Sequence, residues 1–152
     1  MKNGYTLLEL LIVVLIVGIL CAIAVPQYFN VAESARMVEL KVLWGSQRRW
    51  ATGKEFTQTQ LEQANETLQK YGLKYFTGQI ICRTTSNAGA PCFEIVFTRN
   101  PDAQAQYQIT TINNFQKLAC VPTNLLGTQF CKSRSADGIP LLIDDHEAYL
   151  MR

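Results

Sequence analysis

At 152 residues the chain has room for one globular domain and a long helix, and no internal repeat or low-complexity segment points to a second domain. A formal charge of +2 gives no electrostatic case for nucleic acid as the main partner. Charged residues make up 17% of the chain, below the usual quarter, because an N-terminal stretch carries almost none. No Ser-His-Asp, Cys-His or Walker-type spacing is present, so the chain reads as a non-enzyme with no cofactor.

That stretch is the first element. Residues 4–25 read GYTLLELLIVVLIVGILCAIAV. From Leu7 to Val25 it runs 19 residues with Glu9 as its one charge. At about 1.5 Å per residue it reaches roughly 28 Å, enough to cross a bilayer core. Two ordinary readings are a signal anchor and a cleaved secretory signal with Lys2 as its charged end. The run exceeds the usual length of about 7–15 apolar residues for a cleaved signal, and it ends at Pro26-Gln27-Tyr28 without a small-x-small site. Glu9 suits neither, because a carboxylate inside a membrane run is costly and marks function.

The signature Gly4-Tyr5-Thr6-Leu7-Leu8-Glu9 followed by an apolar helix resembles the N-terminus of type IV prepilins and the related pseudopilins. The match covers residues 2–36. Met1–Gly4 resembles the short basic leader of that family. The resemblance implies cleavage between Gly4 and Tyr5 by a membrane prepilin peptidase that also methylates the new N-terminus, Tyr5. Phe is the commoner residue there. Glu9 falls at the fifth mature position, where the family places its Glu, and Gly18 and Pro26 match the family's small residue and helix-bending proline. An α-amino group has a pKa near ~8 and is mostly cationic at pH 7. Glu9 can therefore pair with the Tyr5 amine of a neighbouring subunit or, one turn away, with its own. Desolvation offsets much of the attraction, so register is a more natural gain than strength.

The resemblance further implies a structural subunit of a type IV pilus. It would sit in the inner membrane before assembly and on the cell surface afterwards. Its partners would be identical or related pilin subunits, a prepilin peptidase, a cytoplasmic ATPase and an assembly platform. A pseudopilin of type II secretion is the alternative, and a signal-anchored binding module that never polymerises is a third class.

The helix is expected to continue past Pro26 to about Trp50, roughly 70 Å in all. Pro26 removes a backbone donor and should bend or loosen it. Tyr28, Val31, Ala32, Ala35, Val38 and Val42 recur at spacings of three and four and form one apolar stripe. Asn30, Glu33, Ser34 and Lys41 lie off it, and Glu33 and Arg36 are spaced to pair. This half is expected to pack against the head. The organisation is thus a leader at 1–4, a membrane or filament-core helix at 5–25, its amphipathic continuation at 26–52 and a head at 53–152.

In the head, Thr57 and Gln60 fit a capping box for a second helix carrying Leu61, Ala64, Leu68 and Tyr71, with Gly72 as its stop. The period then changes. Phe93, Ile95 and Phe97 alternate within 92–98, and 79–84, 106–113 and 115–121 are further strands. Arg99-Asn100-Pro101-Asp102 reads as a turn. Strands after a long helix predict an α+β fold with an antiparallel sheet that the long helix covers, and the resemblance implies the same pilin-like arrangement.

Cys21 lies in the membrane run and reads as a small buried hydrophobe. Cys82, Cys92, Cys120 and Cys131 allow three pairings. Nearest-neighbour pairing, Cys82–Cys92 and Cys120–Cys131, is the simplest, and the second resembles the disulfide-bounded C-terminal loop of many type IV pilins. No CxxC spacing exists, which disfavours zinc. His146 sits in Asp144-Asp145-His146-Glu147, which reads as a solvated polar turn rather than a metal site, although the major pseudopilin of type II secretion often carries Ca²⁺ near its C-terminus. Arg48, Arg49, Trp44 and Trp50 mix basic and aromatic residues in a pattern compatible with DNA. Packing of the two tryptophans against the head is the stronger reading.

Overall fold

The computed structural model describes residues 6–51, 57–82, 93–112 and 115–152. The chain divides into two units, Met1–Val38 and Glu39–Arg152. One helix, α1 (Leu7–Ala51), runs through both. Its 45 residues give a length of about 68 Å. It passes Pro26 without interruption.

The second unit holds α2 (Gln58–Lys70), β1 (Phe76–Cys82), β2 (Phe93–Arg99), β3 (Tyr107–Ile112), β4 (Lys117–Pro122), α3 (Leu125–Arg134), β5 (Ser135–Ile143) and β6 (His146–Met151). The six strands form one antiparallel sheet in the order β1-β2-β3-β4-β6-β5. The α+β class and the antiparallel sheet are as expected.

The capping box forms as read: the Gln60 amide donates to Thr57 Oγ1 at 3.4 Å, and the Thr57 amide donates to Gln60 Oε1 at 3.0 Å. Gly72 stops the helix with a φ of +56°, which a side chain would strain. α2 then covers the β1 edge of the sheet. Leu68 packs onto Gly78, and Asn65 Oδ1 accepts the Ile80 amide at 3.2 Å, so an edge donor that has no strand partner is satisfied.

The central strands β3 and β4 are buried on both faces, and aromatic side chains dominate one of those faces. Phe76, Phe97, Tyr107, Ile109 and Phe130 are all within 2% of complete burial. Tyr107 stacks on Phe130 at 4.8 Å and meets Phe76 edge-on at 6.1 Å. Within this unit the end of α1 is tied to the head. Leu40 and Leu43 are buried, the Trp44 indole N–H donates to the Phe115 carbonyl at 2.8 Å, and the Lys74 amide donates to the Glu39 carboxylate at 2.8 Å. Phe115 holds a left-handed backbone, φ +64°, between β3 and β4. A bulky residue there is an outlier, and its buried ring and the Trp44 bond hold it in place.

Two readings need correction. The apolar stripe is not the buried face of α1: Tyr28, Val31, Val38 and Val42 are 57–76% exposed. Burial falls instead on Glu33, Met37, Leu40 and Leu43, a second set at spacings of three and four. Glu33 is paired with Arg36, which lets a carboxylate be buried there. The segment between Cys120 and Cys131 is not a loop but the end of β4 followed by α3. The polar turn read in the tail is present at its first two residues, and it joins the strands of a hairpin, β5–β6. Asp144 and Asp145, with φ of +48° and +61°, form its two-residue turn, and His146 opens β6.

Cys120 and Cys131 are joined, with Cα atoms 5.5 Å apart. Closing an eleven-residue separation contributes about 3 kcal/mol in the chain-entropy picture. Cys92 lies outside the described residues, and so does the Cys82–Cys92 pairing. The N-terminus of α3 is fixed by Asn124. Its Oδ1 accepts the Gly127 amide at 2.7 Å and the Gln106 amide at 3.0 Å, and its Nδ2 donates to the Gln104 carbonyl at 2.8 Å. Gly127 is required by this approach, since a Cβ there would lie 1.9 Å from the Gln106 carbonyl oxygen. Gly127→Ala is therefore expected to destabilise the head by about 2 kcal/mol or more. Gly45→Ala, in open space on α1, should be neutral or stabilise by up to about 1 kcal/mol. Denaturant unfolding of the detergent-solubilised variants checks both, and a Gly127→Ala midpoint equal to wild type contradicts the close approach.

Candidate assembly site on the N-terminal helix

The first described turn of α1 is built by Thr6. Its Oγ1 accepts the Glu9 amide at 3.3 Å and its carbonyl accepts the Leu10 amide at 3.2 Å, as at a capped helix start. Thr6-Leu7-Leu8-Glu9 is thus the T-x-x-E pattern that opens a helix. That capping signal stands within the Gly4–Glu9 signature itself. Glu9 falls in the first turn, where the helix dipole favours a negative charge. Its side chain is exposed.

Beyond Glu9 every large apolar side chain to Val25 is between 46% and 66% exposed. The helix is long and apolar enough to cross a membrane by length and composition. An apolar surface of this extent is not left in water, so it marks a membrane or protein contact. Gly18 has open space where its Cβ would sit, and nothing among the described residues requires a glycine there. Cys21 is free and exposed on the same run rather than buried. Gly4 and Tyr5 lie outside the described residues, as does the Pro26 side chain.

The remaining candidates separate from this site. The Arg48 guanidinium lies 5.6 Å over the Trp44 ring, and Trp44 is bound to the head through Phe115. The side chains of Arg49 and Trp50 lie outside the described residues. His146 Nδ1 stands 2.8 Å from the Asp144 carbonyl, an arrangement local to the hairpin turn. Among the described residues no group of three or more His, Cys, Asp or Glu gathers in a way that holds a metal.

Thr6→Ala is expected to fray the first turn at a cost of about 1 kcal/mol, read as faster amide hydrogen exchange at Glu9, while Thr6→Ser keeps the wild-type rate. Equal exchange in Thr6→Ala and wild type contradicts the cap.

Comparison with known proteins points to the same segment. The family described as the prokaryotic N-terminal methylation motif matches residues 1–25. Type IV major fimbrial proteins FimA of Dichelobacter nodosus are 63% identical to this chain over 30 residues, which is 20% of this chain and 19% of each relative. The shared stretch thus spans about a fifth of those relatives. No solved structure matches the chain significantly. Residues 1–25 thus carry the prokaryotic N-terminal methylation motif, and the relatives that share this stretch are type IV major fimbrial proteins.

Proposed function

We propose that the chain is a structural subunit of a type IV pilus. It is inserted in the inner membrane, cleaved between Gly4 and Tyr5 by a prepilin peptidase, methylated on Tyr5 and polymerised through α1 with identical or related subunits. The organisation read from the sequence goes with this: a leader at 1–4, a core helix at 5–25, its continuation at 26–52 and a head at 53–152. The observation that carries the reading is one helix face-free on all sides, apolar from Leu10 to Val25, with a single carboxylate in its first turn. The resemblance to fimbrial proteins favours a pilus over a secretion pseudopilin.

The physics is an exchange of apolar surroundings. A run of 19 residues matches a bilayer core of about 30 Å, so lipid covers it before assembly. In a fibre the helices of neighbouring copies replace the lipid. Such an exchange gains little from burial alone, because lipid tails are as apolar as side chains, and packing and polar pairing decide it. Glu9 supplies the polar pairing. Cleavage creates the cation that answers it, the Tyr5 amine, on the same subunit or on the next.

The cap at Thr6 gives Glu9 a rival role, because a Glu or Gln at this position also supports a helix start. Glu9→Ala removes both roles and Glu9→Gln removes only the charge. Both variants are expected to be cleaved normally and to be depleted from sheared filaments to a similar degree. Filaments of Glu9→Gln at wild-type yield would contradict charge pairing. A chain needed for secretion, and absent from sheared surface filaments, would favour the pseudopilin reading instead.

A further inference from the structure

The edge strand β5 carries an irregular register between Ser135 and Pro140. Asp137-Gly138 stands in this irregularity and is the one Asp-Gly pair in the chain. Such a pair is chemically labile. From the carboxylic acid form, the Gly138 amide nitrogen attacks Asp137 Cγ. The N–Cγ bond forms, the Cγ–OH bond breaks, and the amide proton leaves with the hydroxyl as water. Water then opens the five-membered imide at either carbonyl. One product is aspartate again, and the other is isoaspartate, whose main chain runs through Cβ and Cγ. Glycine makes the attack easy, because no side chain shields its nitrogen.

The folded chain ties up both reacting groups. The Gly138 amide donates to Ser135 Oγ at 2.9 Å. Asp137 Oδ1 accepts the Ile139 amide at 3.1 Å and the Ser135 hydroxyl at 3.3 Å. Ser135 is itself 4% exposed and is held in register opposite Met151 of β6. Asp137 is exposed, so water reaches it.

We propose that Asp137-Gly138 is the site at which this chain converts to isoaspartate with age, and that Ser135 holds the conversion off in the folded state. Closing the imide requires the Gly138 amide to leave Ser135 Oγ and the Asp137 carboxyl group to turn away from the Ile139 amide. Both breaks amount to a local opening of the strand, and the rate follows the population of that opened form. Backbone geometry calls for this pair in spite of its chemistry. Gly138 has a φ of +72°, a left-handed conformation that a side chain would strain. The Asp137 carboxylate satisfies the Ile139 amide where β5 departs from regular pairing with β6. Isoaspartate lengthens the main chain by a carbon atom at this point and displaces that acceptor, so the damage acts on the register of β5.

Ageing of the full-length chain in detergent at neutral pH tests this. The peptide Ser135–Arg152 is released with trypsin, its isoaspartate is quantified by enzymatic methylation, and fragmentation places it at position 137. Native wild type is expected to accumulate isoaspartate about tenfold or more slowly than wild type unfolded in urea. Ser135→Ala is expected to raise the native rate roughly 3- to 10-fold, as for a lost hydrogen bond. Equal rates in native and unfolded wild type overturn the proposal, and so does a folded Ser135→Ala that ages as slowly as wild type. Where Ser135→Ala does not fold, hydrogen exchange at the Gly138 amide of wild type reports on the same bond. Protection is expected there, and exchange at the unprotected rate overturns the role of Ser135.

Discussion

An apolar helix exposed around its whole circumference is the constraint from which the other features follow. Fourteen large apolar side chains between Leu7 and Val25 stand outward, with one carboxylate at their beginning. Water cannot be their permanent surroundings. A bilayer accommodates the apolar part and penalises Glu9. A bundle of identical helices accommodates the apolar part and can also offer Glu9 a cation. In the proposed fibre, the preference for the second state would rest on Glu9 and on packing.

The head holds the end of α1. Its ties to the end of α1 are specific polar bonds set in an apolar core: Trp44 to Phe115, and Lys74 to Glu39. Its sheet edges are treated differently. α2 shields β1 through Leu68 and Asn65. At the other edge, β5 carries Pro140 and an irregular register between Ser135 and Pro140, both of which discourage unwanted strand pairing. The disulfide and the Asn124 cap act on the same segment. One fastens α3 to β4, and the other joins its N-terminus to the approach to β3.

Much of this was legible in the chain, and the rest failed for identifiable reasons. The signature from Gly4 to Glu9, the long helix, the Thr57 box and the four strands β1–β4 stand in plain periodicity and capping chemistry. α3 was hidden because Gly127 lowers helix propensity, yet that glycine serves a close approach to Gln106 that only the fold reveals. β5 was hidden by Gly138 and Pro140, which read as breakers and are tolerated here on an edge strand. The hairpin turn lacks glycine altogether, since two aspartates take the left-handed conformation. The direction of the α1 stripe was illegible for a different reason. Two apolar sets, Tyr28-Val31-Ala35-Val38 and Met37-Leu40-Leu43, share the helix, and periodicity alone does not say which one a protein buries.

The account stands or falls on whether this chain is found in a fibre in processed form. Mass spectrometry of filaments sheared from cells addresses that directly. The account predicts peptides of this chain in the filament fraction, beginning at Tyr5 and bearing one N-terminal methyl group. A chain confined to the membrane fraction, with Met1 still attached, would contradict it.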